Sequence, residues 1–249
     1  MRNAINPLIA KMAHSVVLTH ADEGLLEQVA ARTRRVRAGQ DIVVEGVKPD
    51  FVRVLTEGYA CRYRVLKDGE RAILSILLPG DFFDLHVQVL GYMDHSVTAI
   101  SDCEVAEIPQ EAMKSLQDRS PRIMKALWWA TLVDDAIWRE WLLNMGRRPA
   151  EQQMAHLFCE ILARLQACGQ VVGNEFPFPL TQEQMGDVLG ISTVHVNRVL
   201  QGLIKQGLVI RQGRRITLPD PAEVAQFCGF DAVYLHLGPA GFWNEQEAM

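Results

Sequence analysis

The sequence lacks any apolar run approaching the roughly 20 residues that a membrane-spanning helix needs. Its first twenty residues are interrupted by Lys11 and His14, and they contain no sustained apolar stretch followed by a small-residue cleavage site. A secretory signal peptide is therefore not expected. Together these two absences favour a cytoplasmic protein.

Clustered cysteines are also missing. No two cysteines form a CxxC pair, and none is grouped with histidines at the spacing of a zinc finger. Buried or incidental reduced thiols are the favoured interpretation, and an iron-sulfur cluster has little support because it needs several closely placed thiolates. We therefore predict no cofactor and no metal site. The five cysteines are Cys61, Cys103, Cys159, Cys168 and Cys228.

The length and composition are those of an ordinary globular protein. At 249 residues the chain is long enough for two domains with separate cores, and 49% hydrophobic with 22% charged residues argues against wholesale disorder. The formal net charge is -5. A compact basic segment in this acidic chain would therefore stand out from the rest of the sequence.

Short apolar runs punctuated by glycine fill residues 36–110. The Asp68-Gly69 pair is a tight hairpin signal. Regular short strands with turn residues at this spacing predict a β-barrel or a double-sheet roll as the first domain. The turn glycines are Gly39, Gly46, Gly58, Gly69 and Gly80.

A long helical segment follows, with neither glycine nor proline between Pro121 and Gly146. Ser120 can cap its start and Gly146 can end it. Its apolar surface is wide enough to require cover on several sides. The pattern fits the central core helix of a monomer and the interface helix of a twofold dimer equally well. The apolar positions are Ala126, Ala130, Val133, Ile137 and Trp141 in one stripe, widened by Leu127, Trp138 and Leu142.

A second amphipathic helix is predicted between Pro149 and Gly169, and a short extended piece follows a turn at Gly173-Asn174. The apolar positions of this helix are Met154, Leu157, Phe158, Ile161, Leu162 and Leu165.

The next segment has the pattern of a helix-turn-helix. Gly190 lies where the turn needs a residue without a β-carbon, and Gly186 is small where two helices would touch. Met185, Leu189, Ile191, Val196 and Val199 would face a shared core. After it, "LVIRQGRRITL" predicts two strands joined around Gln212-Gly213, a basic hairpin or wing. No acidic residue occurs between Asp187 and Asp220, an interval that holds Arg198, Lys205, Arg211, Arg214 and Arg215.

These residues predict DNA binding through the second helix. Ser192 can cap that helix, and Arg198 could make the two-pronged contact with guanine O6 and N7. Asn197 and His195 are further base-edge or phosphate candidates, Thr193 can hydrogen-bond to either, and Val194 could touch a thymine methyl. Phosphate contacts are assigned to Arg211, Arg214 and Arg215. The alternative is an amphipathic helical hairpin in which Arg198 only pairs with a surface carboxylate.

The order of these elements, together with "PGDFFDLH", "CEVAEIP", "MDHSV" at 93–97, "HVNR" at 195–198 and "YLHL" at 234–237, resembles the Crp/Fnr family of bacterial transcription regulators. The resemblance implies an α+β protein with a cyclic-nucleotide-binding-type β-roll (a double-stranded jelly roll) over residues 1–115. A long dimerisation helix would cover 116–146, a winged helix-turn-helix 147–219, and a tail 220–249. It also implies a homodimer on a pseudo-palindromic site and contact with RNA polymerase.

The sequence departs from the family's nucleotide-binding members in the roll. Those members hold the cyclic phosphate with a Gly-Glu pair and an Arg-Ser pair, where this chain has Asp84-Leu85 and His95-Ser96. A carboxylate and a titratable imidazole suit an anionic phosphate poorly, so the effector is not expected to be cyclic AMP. The cysteine cluster of the oxygen-sensing branch is missing too, because no cysteine precedes Cys61.

Asp84, His86, His95 and Ser96, with Asp94 nearby, are the candidates for an effector pocket. They could bind another small ligand, sense protons or hold a metal. The favoured interpretation is that they only satisfy hydrogen bonds within a loop.

Two other functions compete with DNA binding. A cupin-like enzyme would need a close His-x-His and a following Glu in the roll, and none occurs, so no catalytic residues are predicted and the protein is not expected to be an enzyme. A cyclic-nucleotide or other small-ligand regulatory module acting on a protein partner is the other alternative. The C-terminal tail is assigned no chemistry.

Overall fold

The computed structural model describes residues 6–238. The chain divides into two compact units between Asp134 and Asp135, a boundary that falls inside its longest helix. The part of the predicted tail at 239–249 lies outside the described residues, and the four ranges expected from the resemblance remain predictions.

The N-terminal unit contains strands and short helices in an order that matches the predicted roll. In chain order its elements are α1 (Pro7–Ala13), α2 (His20–Val29), β1 (Thr33–Val36), β2 (Asp41–Val43), β3 (Phe51–Glu57), β4 (Ala60–Val65), β5 (Arg71–Leu77), α3 (Val87–Leu90), β6 (Ser96–Ala99), β7 (Cys103–Pro109), α4 (Gln110–Arg119) and the start of α5 (Pro121–Arg147).

Two antiparallel sheets form the roll, with strand orders β1-β7-β3 and β2-β6-β4-β5. Side chains from both sheets, including Leu55, Leu77, Val97 and Val105, form one buried cluster. Gly58 makes the turn after β3 at a φ of +90°, where a β-carbon would lie 2.3 Å from the carbonyl oxygen of Asp102. Only glycine fits that position. The double-sheet roll is confirmed.

Helix α5 begins at Pro121, after a separate α4. Ser120 caps it as predicted, because its Oγ accepts a hydrogen bond from the Ile123 N–H at 3.2 Å. The helix passes Gly146 and ends at Arg147. Arg148 precedes Pro149, and a residue before proline disfavours the helical conformation, so the proline and not the glycine sets the end.

One face of α5 is buried and another carries exposed apolar side chains. The predicted stripe of Ala126, Ala130, Val133, Ile137 and Trp141 is buried throughout. The exposed large apolar residues on the helix are Trp128, Leu132, Trp138, Leu142, Leu143 and Met145.

The C-terminal unit continues from α5 with further helices and a small sheet of order β8-β10-β9. Every predicted apolar position of α6 is buried, from Met154 to Leu165. The elements are α6 (Ala150–Ala167), β8 (Glu175–Pro177), α7 (Gln182–Leu189), α8 (Thr193–Lys205), β9 (Ile210–Gln212), β10 (Arg215–Thr217), α9 (Pro221–Cys228) and a 3-10 turn (Ala232–Leu235).

Within residues 6–238, no helix combines the length and the apolar character that crossing a lipid bilayer requires.

Candidate functional site

Helices α7 and α8 form a helix-turn-helix whose turn depends on two glycines. Gly190 ends α7 in the left-handed conformation, at a φ of +65°. Gly186 lies against the turn, since a β-carbon there would be 2.7 Å from the carbonyl oxygen of Ile191. Ser192 begins α8 by accepting the His195 N–H on its Oγ at 3.3 Å. The close crossing predicted from the sequence is therefore present.

Helix α8 has one buried and one exposed face. Val196 and Val199 are buried together with Leu200 and Leu203, and they anchor the helix to its own unit. The predicted DNA contacts on this helix and at its N-cap are all exposed, and Val194 is 72% exposed, so its side chain does not belong to the buried core. These exposed residues are Ser192, Thr193, Val194, His195, Asn197 and Arg198.

The basic hairpin forms from β9 and β10, with Gly213 in the turn between them at a φ of +60°. Arg214 is exposed in that turn, and Arg211 donates from Nε to the Gly213 carbonyl at 3.2 Å. Arg215 forms an ion pair with Glu175 of the neighbouring strand β8. The three predicted phosphate contacts are thus not equivalent, because one guanidinium already has a carboxylate partner.

In the N-terminal unit, Asp84 pairs with Arg53 and does not join the other predicted effector-pocket residues. Its carboxylate is fully buried and accepts the Arg53 backbone N–H at 2.7 Å and the Arg53 guanidinium at 2.8 Å. Burial raises the pKa of Asp84 to about 6, even though these bonds act in the opposite direction. Asp84 therefore satisfies hydrogen bonds inside the roll.

Of the other predicted pocket residues, Ser96 has a separate partner, whereas His86 and His95 lie together. Ser96 lies in β6, where its Oγ accepts the backbone N–H of Glu45 at 3.0 Å. His86 and His95 do come together, with ring centroids 5.3 Å apart, and Asp94 joins them. The Asp94 Oδ1 is 2.6 Å from Nδ1 of His95 and 3.7 Å from Nε2 of His86.

Both imidazoles of this cluster are shifted towards the neutral form. Burial, with the nearby Arg62 guanidinium, lowers the pKa of His95 to about 4, and burial also lowers the pKa of His86. Both rings are consequently neutral at neutral pH.

A groove of about 320 Å³ opens beside His86, between the segment around α3 and the first half of α5. Its lining is mostly apolar, and it includes Gln88 and the exposed Trp128. The remaining lining residues are Leu85, Val89, Leu90, Met124, Leu127, Thr131 and Leu132. The groove is large enough for a small organic ligand.

Sequence reasoning missed two buried polar centres. Arg62 is buried in the roll, where it donates to the Phe82 carbonyl at 2.7 Å and to Asp134 at 2.9 Å. Its signal was a charged residue directly after the apolar pair Ala60-Cys61, in a strand that also contains Arg64.

Glu160 is the second centre, in the C-terminal unit. It is fully buried on α6 and accepts hydrogen bonds from Trp141, Arg164 and Tyr234. The only sequence signal was the "YLHL" segment, which contains Tyr234. The hydrogen bond from Tyr234 to Glu160 therefore holds the end of the described chain against α6.

In comparisons with known proteins, a different family model matches each of the two units. Residues 152–227 match the Crp-like helix-turn-helix domain, and residues 33–120 match the cyclic nucleotide-binding domain. The transcriptional activator protein FnrL of Cereibacter sphaeroides is 29% identical over 228 residues, covering 88% of this chain and 90% of that protein. The nitrogen fixation regulation protein FixK of Bradyrhizobium diazoefficiens is 26% identical, covering 84% and 88%.

Among solved structures, FixK2 from Bradyrhizobium japonicum has a TM-score of 0.69 at 23% identity, covering 78% of this chain and 96% of that one. A CRP family regulator from Thermus thermophilus has a TM-score of 0.62 at 20% identity, covering 79% and 97%. Because both identities are below 25%, similarity to these two structures shows the fold alone.

Proposed function

Because the chain belongs to the Crp/Fnr family of transcriptional regulators, we propose that it binds a pseudo-palindromic DNA site as a homodimer, with one α8 in the major groove of each half-site. The observation that carries this proposal is the fully exposed face of α8, polar except for Val194, beside a basic hairpin. A helix face that is exposed among the described residues of its unit, with polar side chains at its N-terminal end, suits groove entry.

The contacts divide into base reading and phosphate binding. Arg198 is assigned to a guanine, with Asn197, His195 and Thr193 as further polar contacts and Val194 against a thymine methyl. Arg211 and Arg214 follow the phosphate backbone, and Arg215 does so only in competition with Glu175. Since this chain has Thr193 and Val194 where the cyclic-AMP receptor protein has Arg and Glu, we expect a different target sequence.

The exposed side of α5 supports the homodimer. Trp128 is 66% exposed and Leu132 is 56% exposed, one helical turn apart on the same side of the helix. Large apolar side chains exposed in such a row suit a twofold interface with the same helix of a second copy. Half-sites about one helical turn apart, roughly 34 to 36 Å, would follow from that symmetry.

The protein is proposed to act in the cytoplasm, without enzymatic activity, and to contact RNA polymerase at its target promoters. An effector other than cyclic AMP is proposed, since Asp84 is held by Arg53 and His95 occupies the place of a phosphate-binding arginine. The groove beside α5 favours a small-ligand regulatory module as the second candidate function.

In-vitro selection of DNA from a random pool, with purified full-length protein and no added ligand, tests the proposal. We expect a two-half-site consensus with a guanine in each half. Enrichment of no sequence, together with tight binding of cyclic AMP and no retardation of DNA, would overturn the proposal in favour of the ligand module.

A further inference from the structure

The cluster of His86, Asp94 and His95 joins the two ends of one surface segment. His86 directly precedes α3, and Asp94 and His95 directly precede β6. One ligand-type atom from each side chain lies within 4.8 Å of the other two. Residues on both sides of the segment between them thus meet at a single point.

Two ring nitrogens in this cluster lack hydrogen-bond partners within the part of the chain that the structure describes. They are Nε2 of His86 and Nε2 of His95, and both atoms are buried. His95 as a whole is 4% exposed. Buried polar atoms normally have partners, because leaving one unpaired forfeits its hydration without replacement. Nε2 of His86 is 3.7 Å from Asp94 Oδ1, and the same oxygen is 2.6 Å from Nδ1 of His95, so one nitrogen of each imidazole lies beside one carboxylate oxygen. The unpaired Nε2 of His86 beside that oxygen indicates a position where a further group can bind.

We propose that His86, Asp94 and His95 bind one divalent transition-metal ion of the zinc class. Two imidazoles and a carboxylate are ligands that zinc, iron(II) and copper accept, whereas magnesium and calcium prefer oxygen ligands alone. Around a tetrahedral ion with bonds of about 2.0 to 2.1 Å, neighbouring ligand atoms are about 3.4 Å apart. Asp94 Oδ1 is 2.6 Å from Nδ1 of His95 and 3.7 Å from Nε2 of His86, and these separations bracket that value, so the ion would bind Nδ1 of His95 and not its unpaired Nε2.

Only small side-chain movements are needed to reach this geometry. The Asp94 side chain is 76% exposed, so it can withdraw from His95 without disturbing the core. The Arg62 guanidinium acts on both imidazoles and is paired with Asp134 at 2.9 Å. With Asp94, that gives two carboxylates against one guanidinium near the ion, so a cation is electrostatically acceptable there.

Binding would tie the start of α3 to the residue before β6. His86 also lines the groove beside α5, as do Val89 and Leu90 of α3. A bound ion therefore fixes the segment that forms one wall of that groove. This inference does not depend on the DNA-binding proposal, because its test measures metal binding by the purified protein alone.

The test is a cobalt(II) titration of the purified full-length protein, followed by absorption spectroscopy and then by competition with zinc. We expect one equivalent to bind with the visible absorption of a site that includes nitrogen ligands, and zinc to displace it. Asp94→Asn and His86→Gln should each weaken binding about 100-fold or more, since even changes outside the ligand shell cost roughly 10 to 100-fold. Both side chains are at least partly exposed, so the fold should survive, and thermal melting of the metal-free variants checks it.

His20→Ala is the matched control. His20 also has a carboxylate neighbour, Glu23, at 3.4 Å, but the pair is on the surface and lacks a second imidazole. This variant should bind cobalt as the wild type does. The proposal is overturned if the wild type binds less than one equivalent at micromolar protein, or if Asp94→Asn and His86→Gln bind as tightly as His20→Ala.

Discussion

Gly186 lies so close to Ile191 that a β-carbon on the glycine would be 2.7 Å from the isoleucine carbonyl oxygen. The contact joins α7 to the turn that precedes α8. We expect Gly186→Ala to lower the free energy of unfolding by about 1–2 kcal/mol, because backbone overpacking of about 1–3 kcal/mol exceeds the gain of up to about 1 kcal/mol in helix propensity. Urea unfolding measures this loss.

Gly202→Ala in α8 is the control for that prediction. Its β-carbon would be 3.1 Å from Oε1 of Glu151, the flexible end of a side chain that can move. We expect this variant to be as stable as the wild type or up to about 1 kcal/mol more stable. Equal losses for the two alanine variants would contradict the close-crossing argument.

The Arg215–Glu175 ion pair makes the three wing arginines unequal. Arg214→Ala should reduce the slope of log affinity against log salt by about 1, the loss of one phosphate contact. Arg215→Ala should reduce it less, while Glu175→Gln should strengthen binding to all duplexes by freeing Arg215. Fluorescence anisotropy on a random duplex at several salt concentrations distinguishes them. Identical slopes for the two arginine variants would reject the distinction.

Tyr234 donates a hydrogen bond to the buried Glu160 carboxylate at 2.8 Å. Tyr234→Phe should cost about 1–3 kcal/mol of stability, because the carboxylate loses a partner that water cannot easily replace. Tyr92→Phe is the control, since Tyr92 is 62% exposed and its loss should be near zero. Thermal and urea unfolding of the two variants would show equal stabilities if the tail segment were only loosely held.

The buried His156 should make the stability of the C-terminal unit sensitive to acid. It is fully buried against the rings of Phe230 and Tyr234, 3.2 Å from Glu140, and burial with the Arg148 charge lowers its pKa to about 3. The unfolded chain takes up a proton near pH 6.5 and the folded chain does not until about pH 3, so stability falls as pH decreases through that window.

At pH 5 this linkage should cost about 2 kcal/mol relative to pH 7. His156→Phe keeps an aromatic ring in the same packing and removes the titrating group, so its stability should fall by about 2 kcal/mol less over the same interval. Urea midpoints at the two pH values measure the difference. Parallel pH profiles for wild type and variant would contradict the assignment.

The helix-turn-helix was predictable from the sequence because its determinants are local. Gly186, Gly190 and Ser192 lie within one short segment, and each has a steric or capping role that depends on near neighbours. The exposed face of α8 followed from the same periodicity. The roll was predictable for a similar reason, since glycines at regular spacing mark where strands turn.

The polar pairings could not be predicted because they join distant residues. Asp84 bonds to Arg53, and Tyr234 to Glu160, across gaps of 31 and 74 residues. Nothing in the spacing of either residue identifies its partner, and the resemblance groups Asp84 with His86, His95 and Ser96 instead. Helix α5 continues past the predicted stop at Gly146 to Arg147, because Pro149 disfavours the helical conformation only at Arg148.

Arg198 of α8 is proposed to read a guanine in each half-site, and affinity measurements on the selected site test this role. Wild type and Arg198→Ala are compared on that site and on a duplex with the half-site guanines replaced. Wild type should discriminate between the two duplexes by about 1–3 kcal/mol per half-site, and Arg198→Ala should lose this preference while it retains binding to random DNA. Equal losses of affinity for specific and random duplexes would contradict it.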